Sequence, residues 1–246
     1  MIETNTLLFF ALVVFGAVVQ TVTGFALGLI IIAGVTVLGI AEISFSAAVI
    51  SMIALANVLV ALRASRHHID LEYVKWVSVG LVPAMLIGVI LLEFLSTQYY
   101  DFLQVLLGVV IICAGVMLMI TPAAFEKKSP KPVRALCGML GGVMAGLYSA
   151  GGPPLAYFMY RQPIELNAIR ATLLATFAIS TLWRTLVVAV AGHIDSRVLI
   201  TAATSIPIVI VATLVTGRFM HHIPDLFVRR LVFVLLIGAG AFLVVR

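Results

Sequence analysis

Arg184 stands well inside an apolar stretch, Ala168–Ala191, between Trp183 and Thr185. An intramembrane charge is costly and marks a functional position by default. Its planar guanidinium grips sulfonate or carboxylate oxygens two at a time. The structural alternative is snorkelling to the outer interface with Trp183 as an aromatic anchor. Gly192 is eight residues away, about 12 Å, somewhat beyond easy side-chain reach. A second feature is Gly146–Tyr160, where Gly151-Gly152 and Pro153-Pro154 interrupt an apolar run. Glycine breaks the helix, and proline suits the first turn of a new one. One helix is therefore expected to end near Ser149-Ala150 and another to begin near Pro153. A helix start at membrane depth offers unpaired N–H groups and about half a positive charge, which together attract anions. A matching interruption occurs at Gln20, Thr21, Thr23 and Gly24-Phe25. The residues expected around an anion are Gln20, Thr23, Gly24, Phe25, Tyr148, Ser149, Gly151, Gly152, Pro153 and Arg184, with Asn57 near the level of Arg184. For the glycines and prolines the competing reading is tight packing or a simple kink. For Asn57 and Gln20 it is an interhelical hydrogen bond.

Other chemistry is not indicated. No Asp or Glu lies mid-span, so no coupling carboxylate is apparent and a cation cargo is disfavoured. No nucleophile–base pair or paired carboxylates lie inside the apolar runs, so the chain is not read as an enzyme. Cys113 and Cys137 lack metal-ligand spacing, and the adjacent His221 and His222 do not share a helix face. No metal or cofactor is implied.

The elements that must carry these residues are long and apolar. Of 246 residues, 63% are hydrophobic and 10% charged, and mean hydropathy is +1.23. Soluble domains carry about 25% charge, so this is an all-α polytopic membrane protein. The net charge of +5 sits mostly in short loops, as orientation in a bilayer requires, and does not suggest nucleic acid. Apolar segments fall at 7–40, 43–62, 74–95, 99–121, 133–160, 168–191, 197–217 and 226–245. Segments 7–40 and 133–160 exceed the ~20 residues of one crossing, and both are interrupted near the middle.

The order long, normal, normal, normal occurs twice. His68-Ile69-Asp70 matches His193-Ile194-Asp195, Pro83 matches Pro207, Asp101 matches Asp225 and Gly16 matches Gly142, at offsets of 124 to 126. These matches predict two repeats, 1–122 and 132–246, joined by a cytoplasmic linker at 123–131. If each long segment is a re-entrant hairpin, each repeat makes three crossings and the second is inverted. Nearly every basic loop then falls on one side, with Arg197 and Arg246 as exceptions. Both termini are expected on the opposite, periplasmic side. Inverted repeats with broken helices meeting at mid-membrane describe a secondary transporter.

The two breaks, Gln20-Thr21-Val22-Thr23-Gly24-Phe25 and Gly146-Leu147-Tyr148-Ser149-Ala150-Gly151-Gly152-Pro153, together with two four-segment halves, resemble the sulfite exporter TauE/SafE family, the TSUP permeases. The resemblance spans nearly the whole chain. Ala26 and Leu27 stand where the family commonly has small residues. It implies transport of sulfite, sulfonates, sulfoacetate or related anions across the bacterial inner membrane. A passive anion channel of the same architecture is the alternative, and a membrane-embedded structural partner is a more distant one. The partners expected are a small anionic substrate and the lipid bilayer, with a homodimer as the commonest assembly on general grounds.

Overall fold

A computed structural model describes residues 2–119, 125–219 and 225–245. The expected boundary at 122–123, His221-His222 and Arg246 lie outside the described residues. The described residues form ten α-helices: α1 (Ile2–Thr23), α2 (Leu27–Val37), α3 (Ile43–Ser65), α4 (Leu71–Gln98), α5 (Tyr100–Met119), α6 (Lys131–Tyr148), α7 (Gly152–Tyr160), α8 (Leu166–Val190), α9 (Ser196–Phe219) and α10 (Asp225–Val245). Backbone polar groups in a bilayer must be satisfied within the segment, and helices do this. Pro83 in α4 and Pro207 in α9 are held inside helices at matching repeat positions.

Both long segments break where glycine predicts, and each folds back on itself. In the first, Gly24 (φ 85°) and Ala26 (φ 90°) are left-handed. Gly16 faces Leu27 and Ile31, while Gly34 faces Leu12, so α1 and α2 run antiparallel. In the second, Ser149 ends α6 at φ 56°. There Gly141 faces Leu155 and Gly151 faces Ala145, again antiparallel. The arms are unequal, 22 residues against 11 and 18 against 9. The breaks themselves fall where the sequence put them; the first hairpin's arms differ because α1 begins at Ile2, ahead of the apolar run, and α2 ends at Val37, short of its end. At 1.5 Å per residue α1 is about 33 Å long, enough to cross ~30 Å of hydrocarbon. By length and apolarity six helices among the described residues reach that size: α1, α3, α4, α5, α8 and α9. Four of the six lie in 1–122 and two in 132–246, where three crossings in each were expected, and α1, read as one arm of a re-entrant hairpin, is among them. Of α10, only Arg230–Val245 enters the comparison, as a shorter apolar helix.

Several of the helix contacts recur when α1–α5 are exchanged with α6–α10. α4 packs on α6 and α9 on α1; α3 packs on α9 and α8 on α4; α2 packs on α10 and α7 on α5. α3 meets its counterpart α8, and α5 meets α10. The α5–α10 contact is antiparallel, since Gly108 faces Gly240 and Val244 whereas Gly115 faces Leu236 and Ile237. The α4–α6 seam is closest. A Cβ on Gly80 would lie 1.9 Å from the Ala135 carbonyl oxygen, and one on Gly138 2.0 Å from that of Val77. Small residues let backbones approach this closely where no hydrophobic effect drives helices together.

The loops gather at two ends, as loop charge predicted. At one end His193 Nε2 lies 3.7 Å from Glu93 Oε1, and the Arg197 guanidinium sits over Phe45. At the other, Lys128 Nζ donates to Asp70 Oδ2 at 2.8 Å, Arg134 pairs with Glu72 at 3.4 Å, and the Asp70 N–H donates to Thr172 Oγ1 at 3.0 Å. Ser129 and Gln162 exchange two hydrogen bonds there.

Asp70 also caps α4, accepting from the Tyr73 N–H at 3.1 Å. Burial raises its carboxyl pKa, but the Lys128 and Tyr73 hydrogen bonds and the Lys128 and Arg134 charges outweigh that and hold it below 3.8. A depressed carboxyl adds stability above its unfolded value, and that stability fades as pH falls through the folded value. Asp70→Ala should therefore cost about 1 kcal/mol at neutral pH, the usual worth of an N-cap. Asp70→Asn, which keeps the cap, should cost less. Thermal denaturation in detergent at pH 7 measures both; equal losses would show that the Lys128 pairing, not the cap, dominates.

Candidate functional site

The hairpins pass side by side. A Cβ on Gly28 of α2 would lie 2.4 Å from the Ser149 carbonyl oxygen, and one on Gly152 would touch Phe25 at 3.3 Å. The first tip runs on past the second, since Tyr160 Oη at the end of α7 donates to the Thr23 carbonyl at 3.3 Å. Among described non-glycine residues, only Ala26 and Ser149 have positive φ, one at each break. A left-handed non-glycine residue costs roughly 1 kcal/mol or more. The surrounding packing must therefore hold both tips in place.

Between the tips lies a cavity of about 50 Å³, room for a few waters at the ~10–15 Å³ each requires. Gln20 and Phe25 reach it from the first tip, Ser149, Gly151 and Gly152 from the second, and Arg184 from α8. The other expected residues lie off its wall. The Thr23 hydroxyl is used in its own turn, 2.9 Å from the Val19 carbonyl and 2.8 Å from that of Phe25. Gly24 faces the Arg170 side chain. Tyr148 points away and donates to the Leu103 carbonyl at 3.1 Å. Asn57 Oδ1 accepts from the Thr213 hydroxyl, an α3–α9 link, and its Nδ2 is buried without a partner. Pro153 is buried behind the cavity in α7.

Arg184 is 1% exposed. Its Nε and Nη2 donate to the Gly146 carbonyl at 3.3 and 3.1 Å, and Nη1 donates to the Ala47 carbonyl at 2.6 Å. Three of the five guanidinium N–H groups are thus committed to protein, leaving two. Among the described residues no carboxylate pairs with it. A buried charge without a counterion is strongly disfavoured unless something negative joins it. The Ser149 hydroxyl, on the same cavity wall, is buried without a partner.

The amide contribution is not evenly shared between the tips. In the first turn of α7, Pro153 and Pro154 carry no N–H, so Gly152 is the donor that remains. In α2 the first helical bond comes from the Ile30 N–H to the Ala26 carbonyl. Leu27, Gly28 and Leu29 therefore have N–H groups without helical acceptors, and Gly28 and Leu29 line the cavity. Both tips thus keep bare amides on the cavity wall, Gly28 and Leu29 on α2 and Gly152 on α7, where the two prolines leave fewer.

Phe177, Ser180 and Thr181 also line the cavity and were not anticipated. The signal was present: Thr172, Thr176, Ser180 and Arg184 recur every four residues in α8 and are all buried. The opposite wall, on α3, is apolar. Ala54 and Val58 stand 126 residues before Ser180 and Arg184, the separation that relates Gly16 to Gly142. At that separation α3 brings an apolar pair to the cavity and α8 a polar one.

Residues 8–243 match the sulfite exporter TauE/SafE family. A probable sulfite/organosulfonate exporter TauE from Cupriavidus necator is 38% identical over 226 residues, covering 92% of this chain and 88% of that protein. No solved structure is a significant match. With coverage of nearly its whole length, this multi-pass helical membrane protein belongs to the sulfite exporter TauE/SafE family.

Proposed function

We propose that the protein is a secondary transporter of small sulfur-containing anions, sulfite and organosulfonates, held in the cavity between the hairpin tips. The observation that carries this reading is Arg184, fully buried on the cavity wall with no carboxylate partner among the described residues and two N–H groups unspent. The Ser149 and Ser180 hydroxyls and the amides of Gly28 and Leu29 complete a polar face for the oxo-anion head. Ala54, Val58 and Phe25 offer an apolar face for a short alkyl tail. The relative's printed role, sulfite and organosulfonate export, accords with that pairing.

Two units, 1–122 and 132–246, are inverted with respect to each other in this reading. Its support is the antiparallel packing of counterparts α5 and α10. A two-fold axis that relates antiparallel helices lies across them, in the plane of the membrane. Both termini are periplasmic and the linker is cytoplasmic. Flux of labelled sulfite and methanesulfonate in proteoliposomes tests the function. Carrier-like saturation is expected, and flux at channel rates would favour a passive pore of the same architecture.

Ser149→Gly separates folding from binding. Glycine accepts the left-handed backbone at 149, so stability should hold or rise by up to about 1 kcal/mol. Loss of the hydroxyl should weaken anion affinity roughly 5- to 10-fold, the worth of one hydrogen bond. Unchanged affinity in a stable protein would remove Ser149 from the site.

A further inference from the structure

A second cavity, of about 430 Å³, opens toward the end where Glu93 and His193 lie. Ser44, Ala48, Thr97 and Val198 are on its wall, and so is Arg184. Arg184 is thus common to the tip cavity and to this outer one. Its two carbonyl anchors flank the same divide. Gly146 adjoins Ala145 on the tip cavity, and Ala47 adjoins Ala48 on the outer cavity.

We propose that the Arg184 side chain is the partition between the two cavities, and that it opens by releasing the Ala47 carbonyl while keeping that of Gly146. The inference rests on the tip cavity being the transport site.

The two anchors differ in kind. α6 ends at Tyr148, and its last continuing bond runs from the Ser149 N–H to the Ala145 carbonyl. The Gly146 carbonyl therefore lies past the reach of the helix ladder, at the negative end of the helix dipole. Arg184 meets it with two N–H groups. Ala47 sits inside α3, where helix geometry already gives its carbonyl the Ser51 N–H. Losing the Arg184 Nη1 hydrogen bond leaves Ala47 satisfied, whereas losing Nε and Nη2 would orphan Gly146. The guanidinium consequently turns about Gly146. Nη1 exchanges the Ala47 carbonyl for an anion oxygen, and the charge moves with the anion from one cavity to the other. One side chain then serves as ligand and as gate, and it ties α3 of the first half to α6 and α8 of the second.

The test is cysteine accessibility in proteoliposomes, in a Cys113→Ala/Cys137→Ala background. Thr97→Cys reports the outer cavity and Ala54→Cys the tip cavity. A membrane-impermeant methanethiosulfonate reagent is added from the side that modifies Thr97→Cys. With Arg184 intact, Ala54→Cys should react at least ~10-fold more slowly than Thr97→Cys. Arg184→Ala should raise the Ala54→Cys rate by at least ~10-fold, and Arg184→Gln, which retains a neutral amide, should raise it less. The comparison with Arg184 intact stands whether or not those variants fold. Equal rates at the two cysteines with Arg184 present, or no change on removing it, would overturn the partition. Labelled sulfite and methanesulfonate flux in the same vesicles keeps the two ideas apart. Expected accessibilities without flux would sink the substrate reading alone, and flux with contrary accessibilities would sink the partition alone.

Discussion

Arg184→Ala is expected to lower sulfite flux per folded protein by ~10²- to ~10³-fold. Removing one partner of a buried charge pair costs ~3–5 kcal/mol, and each ~1.4 kcal/mol is tenfold. The loss should appear mainly as weaker apparent affinity if, as proposed, the charge contacts the anion directly. Arg184→Lys keeps the charge but loses the planar fork. It cannot hold the Gly146 carbonyl with two donors and present two more to an anion. Lysine should therefore restore only part of the flux, with an intermediate affinity. A merely structural arginine would predict something else: reduced yield, with normal affinity in whatever protein folds. Concentration-dependent flux together with thermal denaturation separates the two outcomes.

The second large effect lies in the α4–α6 seam. Gly138→Ala should lower thermal stability in detergent by ~2–3 kcal/mol, the upper range for overpacking. For a chain of this size that is roughly 5–10 °C in apparent melting temperature. The cause is direct: the new methyl would lie 2.0 Å from the Val77 carbonyl oxygen and 2.9 Å from its carbon, so the helices must part. Because α6 carries Gly146 and leads directly into Ser149, flux should fall along with stability. Gly217→Ala serves as the control. Nothing lies within 4 Å of its added Cβ, so no loss is expected. Equal behaviour of the two variants would show that the close approach carries no energetic weight.

Much of the architecture was legible in the chain because each helix is one apolar run ended by glycine, proline or charge. The segment read at 43–62 became Ile43–Ser65, and that at 197–217 became Ser196–Phe219. The breaks were legible for the same reason, since Gly24 and Gly151-Gly152 cannot propagate helix cheaply in an apolar run. The unequal arms were not legible. Hydropathy does not mark where the helices begin and end outside the apolar run: α1 starts at Ile2 rather than at Leu7, and α2 stops at Val37 rather than at Ile40.

The site was legible where chemistry is rare and obscured where it is common. A lone arginine deep in an apolar run stands out, so Arg184 could be placed near the tips. Serine and threonine are ordinary in membrane helices, which hid Ser180 and Thr181 although their i, i+4 and i, i+3 spacing with Arg184 was readable. Tyr148 shows the opposite failure. One position from the break put it near the cavity in sequence, but helix rotation sends its ring toward Leu103 on α5. Asn57 fails similarly: its neighbours Ala54 and Val58 face the cavity, while Asn57 lies one face over against Thr213. The prolines were readable from their chemistry, since Pro153 and Pro154 help to start α7 and also remove two backbone donors.

The central claim is an anion seated between the tips on Arg184, and a map of the protein with 2-bromoethanesulfonate bound tests it most directly. Bromine can be located by its anomalous scattering, and the sulfonate by its density. The account predicts sulfonate oxygens within hydrogen-bonding distance of the Arg184 guanidinium and the Ser149 hydroxyl, with the bromoethyl group toward Ala54 and Val58. Sulfonate density away from Arg184, at a ligand concentration that saturates flux, would contradict it.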